Sequence, residues 1–442
     1  MPSLSTGLRA AIGGLPRPFY VLLAGMFVNR LATFVAIFLG PYLVNTHGFT
    51  PDAAGRVVAL FGVGILVAGP LGGTLADAIG RRATMLLSLV SGGFAVLGVG
   101  LVREPTLLAL FAFLSALTSE GYRPALQAAI ADLVPPEERP RAFGLVYWVV
   151  NAGWTVGLLL AGFIAERSFV ALFAADAATC LLFAAIIYWK VPETHPHLAA
   201  GAGGAVHPER RAREAGPESR DEPPGYTGFA QVLRDRIFLV FAALYLGALV
   251  IFLQFQLAAP LDWGAHGVGP AVYSALLSFN GLGVVVFQPL IGPWLRRFDG
   301  ARLLAASALL FGLGFGVNAF GGNVPLYAFG VVLWTIGEVV GFPAGATLVA
   351  DLAPVALRGR YQGAFSMSWG IAFSVAPLVG GEVLARFGAP TLWLGCLGAG
   401  VLLAGLNLLA GPARRRRLDA LGIPRPGQAP DAGGAAAAAP PH

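Results

Sequence analysis

The feature that most narrows what this chain can fold into is an internal repeat at one fixed offset. Moved by 219 positions, Arg17 falls on Arg236, and Pro41, His47, Gly48 and Pro51 fall on Pro260, His266, Gly267 and Pro270. Pro70, Leu71 and Gly73 fall on Pro289, Leu290 and Gly292, and Pro124 falls on Pro343. The stretch ADLVPPEERPRAFG (131–144) falls on ADLAPVALRGRYQG (350–363), sharing Ala, Asp, Leu, Pro, both Arg and Gly. Chance does not hold one offset through so many proline and glycine positions. One structural unit therefore occurs twice, in the same orientation.

Composition says what the unit is. Of 442 residues, 56% are hydrophobic and 12% charged, with a mean hydropathy of +0.72. Soluble domains carry about 25% charged residues. Apolar runs of about 20 residues, long enough to cross a bilayer as helices, recur along the chain. They predict twelve helices at 19–44, 55–77, 82–102, 106–132, 141–165, 168–190, 237–259, 270–296, 302–321, 325–351, 360–385 and 389–411. The 60 glycines and 32 prolines fit such a bundle, where small residues allow close packing and kinks are tolerated. The expected fold is an all-α membrane protein of two six-helix parallel repeats. Its parts are an N-terminal bundle (1–191), a linker rich in Pro, Gly, Glu and Arg (192–235), a C-terminal bundle (236–412) and a disordered tail (413–442). Parallel repeats related by an axis along the membrane normal are a design of secondary transporters, with the substrate site near the midplane between the halves.

Loop charge sets the orientation. One set of loops carries Arg81 and Arg82, Arg139 and Arg141, the linker, Arg296 with Arg297, Arg358 with Arg360, and Arg414–Arg417. The other carries little beyond Arg56, Arg103, Arg167 and Arg386. The first set is expected in the cytoplasm, with both termini inside a bacterial inner membrane. The first 18 residues show no signal-peptide pattern, and Phe19–Val44 is too long for an h-region. Cys180 and Cys396 both lie in apolar runs, so no disulfide framework is indicated. The pI near 9.6 reflects loop arginines and does not call for nucleic acid. There is no G-x-x-x-x-G-K-[ST], no nucleophile triad and no metal-ligand spacing, so neither an enzyme nor an ATP-driven pump is expected, and no cofactor or metal. His47 and His266 read as equivalent outer-loop residues.

GGTLADAIGRR (72–82), between the second and third helices, resembles the signature of the major facilitator superfamily. Gly73, Leu75, Ala76, Asp77, Gly80, Arg81 and Arg82 match, while Ala78 stands where a basic residue is usual. The resemblance implies that Asp77 and the arginines latch the cytoplasmic ends of the two halves in one conformation. The repeat's copy, GPWLRRFDGAR (292–302), is degenerate, with Arg296 opposite Asp77. NAGWTVGLLLAG (151–162) in the fifth helix resembles the drug/proton antiporter motif of that superfamily. Gly153, Gly157 and Gly162 match, but Leu158 replaces the expected proline and Ala161 a glycine. The second half carries APLVGG (376–381). Glycines at this spacing also serve ordinary close packing, whatever the direction of transport.

Several charges lie inside the apolar runs. A charge near the bilayer centre costs about 2.5–3.5 kcal/mol on insertion scales and usually faces the bundle interior. Glu120 lies roughly 20 Å along the fourth helix, near midplane, and Arg123 follows on the same face. Asn29 and Arg30 in the first helix and Glu338 in the tenth lie at similar depth. The resemblance implies that helices 1, 4, 7 and 10 line the central cavity. It also implies a usual arginine early in helix 4, where this chain has Ala112 and Phe113. Arg30, Glu120, Arg123 and Glu338 are candidates for proton coupling. Desolvation favours a neutral acid and a nearby guanidinium favours the carboxylate, so relative movement makes proton binding depend on conformation. A fixed ion pair holding helices together is the alternative. Asp176 in helix 6 is a further candidate, with a structural hydrogen bond as the competing role; Asp132 and Asp351 read as ion-pair formers at helix ends. Asn29, Tyr147, Trp148, Trp154, Tyr245, Gln254, Gln256, Asn280, Trp334 and Trp369 are candidates for the substrate cavity, because aromatic faces suit lipophilic or cationic ligands.

The expectation is a monomeric, proton-driven antiporter that exports small amphipathic or cationic compounds by alternating access. Its partners are a small-molecule substrate, protons and the lipid bilayer. Uptake of a polar metabolite such as a sugar, peptide or organic acid, or flipping of a lipid or glycolipid, are the other readings.

Overall fold

A computed structural model describes residues 14–32, 34–135, 138–195, 231–295, 297–354 and 357–421. Most of the linker, Arg296 and the tail beyond Leu421 lie outside the described residues. The first half contains α1 (Arg17–Arg30), α2 (Val35–His47), α3 (Pro51–Ile79), α4 (Arg81–Leu101), α5 (Pro105–Leu133), α6 (Arg139–Arg167) and α7 (Phe169–Lys190). The second contains α8 (Arg236–Phe252), α9 (Ala258–Ala265), α10 (Pro270–Leu295), α11 (Gly300–Gly316), α12 (Val324–Leu352), α13 (Arg358–Phe387) and α14 (Ala389–Ala420). With α1–α2 and α8–α9 each forming one span, these are twelve spans, six in each half. Eleven are long and apolar enough to cross a bilayer by composition alone. The twelfth is α5, which carries Glu120 and Arg123.

Local sequence sets the helix starts. Proline occupies the first turn of α3, α5, α6, α12 and α14, where its missing N–H costs nothing. Side chains of Glu104, Ser168, Asp235, Asp299 and Asn323 accept first-turn N–H groups of α5, α7, α8, α11 and α12. Large apolar side chains such as Phe94, Leu402 and Leu409 remain exposed around the outside, as a lipid-facing surface requires.

Two expected helices are broken. The span predicted as 19–44 stops at Arg30 and restarts at Val35. The span predicted as 237–259 passes through a 3-10 turn at Leu253–Gln256 before α9. An apolar run gives no sign of such a break, because its cause is tertiary. Side chains take up backbone groups at both breaks, and Gln254 also ties its break to α13. Phe34 N donates to Asp176 Oδ2 at 3.0 Å. Gln254 Nε2 donates to the carbonyls of Val250 and Ala376 at 3.1 and 3.2 Å, and Tyr273 Oη donates to the carbonyl of Phe255. The outer half-helices α2 and α9 are then ended alike. Gly48 and Gly267, repeat mates, both take the left-handed conformation, with φ of 70° and 81°. His47 closes α2 and His266 caps α9, so both belong to helix ends rather than to free loops.

The last span also runs longer than predicted. The helix continues through Arg414–Arg417 to Ala420, so 413–420 is ordered helix rather than disordered tail. Arg417 explains the extension. Its Nη1 lies 2.6 Å from Asp235 Oδ2, and its Nη2 donates to the carbonyl of Leu352 at 2.9 Å. Tyr361 Oη donates to the same carboxylate oxygen at 2.6 Å. The cluster ties the starts of α8 and α13 and the ends of α12 and α14 together outside the apolar spans. Burial raises the Asp235 pKa, but the Tyr361 hydroxyl, the Phe238 N–H and Arg417 outweigh it, and the net shift is downward. A depressed carboxylate contributes stability that is complete above its unfolded pKa of about 3.9 and is lost as pH falls through the folded value. Asp235→Asn is expected to cost about 3 kcal/mol at pH 7. Thermal unfolding in detergent checks this, and the gap to wild type is expected to start narrowing below about pH 4 and to close as pH falls through the lower folded value.

Within each half the spans pack side by side, α3 and α4 against α5 in the first and α12 and α14 against α11 in the second. The halves meet chiefly through α3 on α13 and α6 on α10. These contacts crowd at the end away from the arginine-rich loops. A Cβ on Gly55 would lie 2.5 Å from the carbonyl oxygen of Pro377, and one on Gly62 would lie 2.5 Å from backbone atoms of Phe373 and Ser374. A Cβ on Gly162 would lie 2.7 Å from Ala271 Cα. Toward the arginine-rich end the halves part: at Gly69, Gly73, Gly144, Gly292 and Gly363 a Cβ would meet none of the described atoms within 4 Å. The halves are closed against each other at one end and part at the other, where Tyr147 and Gln288 still bridge α6 and α10.

Candidate functional site

The open end leads to a central cavity whose most polar wall is built by α5. Glu120 and Arg123, one turn apart, form an ion pair at 2.8 Å. Arg30, the last residue of α1, reaches the other oxygen of Glu120 at 4.0 Å and donates to Tyr122 Oη at 3.4 Å. Tyr122 in turn donates to Asn29 Oδ1 at 3.2 Å, and Asn29 Nδ2 reaches Cys180 Sγ at 3.4 Å. The break after Arg30 is what lets this arginine turn toward α5. It is accommodated by α6: a Cβ on Gly153 would lie 2.7 Å from Arg30 Cβ, and one on Gly157 would lie 2.6 Å from the Leu31 carbonyl oxygen. The glycines of the helix 5 motif thus seat the helix 1 break, and Gly162 seats α10 of the opposite half. Asp176, buried on α7, caps α2 through Phe34 N while touching the cavity.

The second half contributes a different wall. Glu338 on α12 accepts from Asn280 Nδ2 at 2.9 Å, and the same amide donates to Thr335 Oγ1 at 2.9 Å. Among the described residues no basic group lies within 4.0 Å of Glu338, whereas Glu120 has two. The two acids therefore differ in kind. One is locked into a charged cluster; the other rests on a neutral amide and faces the cavity.

The cavity consists of two adjoining chambers that share Arg30, Arg123, Trp154, Phe255, Trp369 and Phe373. Asn29, Glu120, Asp176 and Gln256 line the first, and Asn280, Trp334 and Glu338 the second. Most sequence candidates thus meet in one place. Tyr147 stands lower in the open gap, where its hydroxyl donates to Gln288 Oε1 at 3.1 Å across the halves. Trp148 is exposed. Gln254 is buried, with its amide spent on the helix 7 break. Tyr245 packs inside the second half, 4.7 Å from the ring of Phe365, beside a separate small pocket. Residues that sequence reasoning missed are Tyr122, Asn151, Phe255 and Phe373. Tyr122 carried a signal, a hydroxyl lying between two intramembrane charges. Phe255 carried none, because it reaches the cavity only through the 3-10 turn.

Among the described residues, the bonds of the motif after α3 stay within the first half and the residues that follow it. Arg81 pairs with Asp77 at 3.1 Å and with Asp132 at 3.4 Å. The backbone N–H groups of Arg81 and Arg82 donate to Glu193, and the Arg82 guanidinium lies 5.4 Å from the Tyr188 ring centre. Gly80, with φ of 99°, makes the turn that allows it. Asp77 remains 78% exposed beside the open gap.

A sequence model of the Major Facilitator Superfamily matches residues 22–262 and 257–429. Among curated proteins the chain is 26% identical to YttB, an uncharacterized transporter of that type from Bacillus subtilis, over 87% of this chain and 92% of YttB. It is 24% identical to a Na(+), Li(+), K(+)/H(+) antiporter of Planococcus maritimus, covering 81% of this chain and 87% of the antiporter. It is 25% identical to the multidrug resistance protein MdtH of Salmonella typhimurium, covering 75% and 78%. Among solved structures, the nucleoside transporter NupG superposes with a TM-score of 0.73 at 16% identity, covering 89% of this chain and 99% of NupG. The peptide transporter POT in complex with sulfate superposes with a TM-score of 0.69 at 17% identity, covering 91% and 96%.

Proposed function

The chain belongs to the major facilitator superfamily of transporters, and from that premise we propose that it exports small amphipathic, positively charged compounds in exchange for protons. The carrying observation is Glu338, an acid with a neutral amide partner, facing a cavity walled by Trp154, Trp334, Trp369, Phe255 and Phe373. Such a carboxylate can hold either a proton or a cationic group without breaking an ion pair, and aromatic faces favour cations. One site that takes either but not both is the minimum an antiporter needs. The names of the multidrug and cation/proton relatives are in keeping with this direction.

In this reading the arginine-rich end is cytoplasmic, with both termini inside a bacterial inner membrane and the monomer as the working unit. The structure is then the inward-open state. Residues 1–191 and 236–412 act as the two moving bundles, with 192–235 as the cytoplasmic linker. Closing the open gap would bring Asp77, Arg81 and Arg82 up to the second half, where they would latch the outward-open state.

The test uses inverted vesicles that hold the protein, energised to acidify the lumen. Lipophilic cations, neutral antibiotics and sugars are added in turn while a dye follows luminal pH. Proton release on adding lipophilic cations is the expected result. Silence with these compounds, together with a response to a sugar or peptide, would overturn the export reading in favour of uptake.

A further inference from the structure

We propose that the central cavity selects zwitterions: molecules with an anionic group for the arginine wall, a cationic group for Glu338 and an apolar body between. The proposal rests on the transporter reading and names its substrate class. Arg30 and Arg123 face one acid, Glu120, in the first-half cluster. Asp176 lies within electrostatic reach of Arg30, but its oxygens accept from Phe34 N and the Cys180 thiol rather than from a guanidinium. Arg30 is 95% buried, and its Nε has no partner among the described residues, although the side chain lines both chambers. Arg123 lines both chambers, and its five-donor guanidinium bonds Glu120 and Tyr122 with donors to spare for a ligand. This wall is a preformed acceptor for a carboxylate, phosphonate or similar anion. The facing wall has the opposite sign, and the two walls belong to different halves.

This placement gives a zwitterion an effect that a simple cation lacks. Bound at both ends, it spans the gap and draws the halves together, which is the motion that closes the open end. A cation alone engages only the second half and leaves the buried Arg30 Nε without a partner. A binding partner shifts a two-state equilibrium only as far as it favours one state over the other. The zwitterion makes that difference with its charged groups.

The test is calorimetric binding to the purified full chain in lipid nanodiscs at neutral pH. The probes are a biphenyl with an aminomethyl group at one end and a carboxylate at the other, its methyl ester, and its N-acetyl derivative. The zwitterion is expected to bind at least about tenfold more tightly than either singly charged form, as one added charge-assisted bond provides. Arg123→Gln should abolish the preference over the ester, and Arg123→Lys should restore part of it. Glu338→Gln, which keeps an acceptor for Asn280, should abolish the preference over the N-acetyl form. An ester that binds wild type as tightly as the zwitterion would overturn the proposal and leave export of simple cations standing. No binding by any of the three would overturn the proposal and the assignment of this cavity together, whereas the vesicle assay reports separately on proton exchange.

Discussion

Glu338→Gln is expected to reduce compound-driven proton release by at least about 100-fold while the protein folds and inserts normally. The substitution keeps side-chain shape, and its amide oxygen still accepts from Asn280. What it removes is the group on that wall that can exchange a proton for a cation. Glu120→Gln should behave differently. It strips the counter-charge from Arg30 and Arg123, and a buried charge left unpaired costs about 3–5 kcal/mol. Its main effect is expected on stability, seen as a lower unfolding temperature and lower yield. If Glu120→Gln folded well and silenced proton release while Glu338→Gln kept it, the two roles would be exchanged.

Gly62→Leu is expected to stop transport just as completely, by another route. The position for its Cβ is 2.5 Å from backbone atoms of Phe373 and Ser374, which cannot rotate away as a side chain would. The sealed end then cannot close, and the cavity should stay open on the side away from the arginines. In a background with Cys180 and Cys396 replaced, Phe255→Cys should react with an impermeant maleimide from that side markedly faster when Gly62→Leu is present. Gly69→Leu is the control, since none of the described atoms lies within 4 Å of a Cβ there, and it should change labelling little. Unaltered labelling and transport in Gly62→Leu would mean that this contact does not set the conformation.

These two residues show what the sequence could and could not reveal. The repeat, the twelve spans and the intramembrane charges were readable because each is a local or periodic property. Gly48 and Gly267 stood out by their offset and prove to be left-handed helix ends. The ranking of Glu120 against Glu338 was not readable. Arg123, on Glu120's own helix, was in view, but the second guanidinium on Glu120, Arg30, and the neutral partner of Glu338, Asn280, come from other helices. Gly62 was equally silent, because glycine serves packing in nearly every span and only the path of α13 shows which ones matter. The breaks in the first and seventh spans were hidden for the same reason: Asp176 and Gln254, which satisfy them, lie far away in sequence or bond across to another helix. The length of the last helix depended on Arg417 finding Asp235, again a partner from another segment.

The most direct test of the central claim is coupled flux in proteoliposomes holding only this protein, with the membrane potential clamped at zero. A gradient of a lipophilic amine derivative with a permanent charge is imposed, and internal pH is followed. Protons are expected to move against the compound's direction, and the movement is expected to disappear in Glu338→Gln. Protons moving with the compound, or a compound flux with no proton movement, would contradict it.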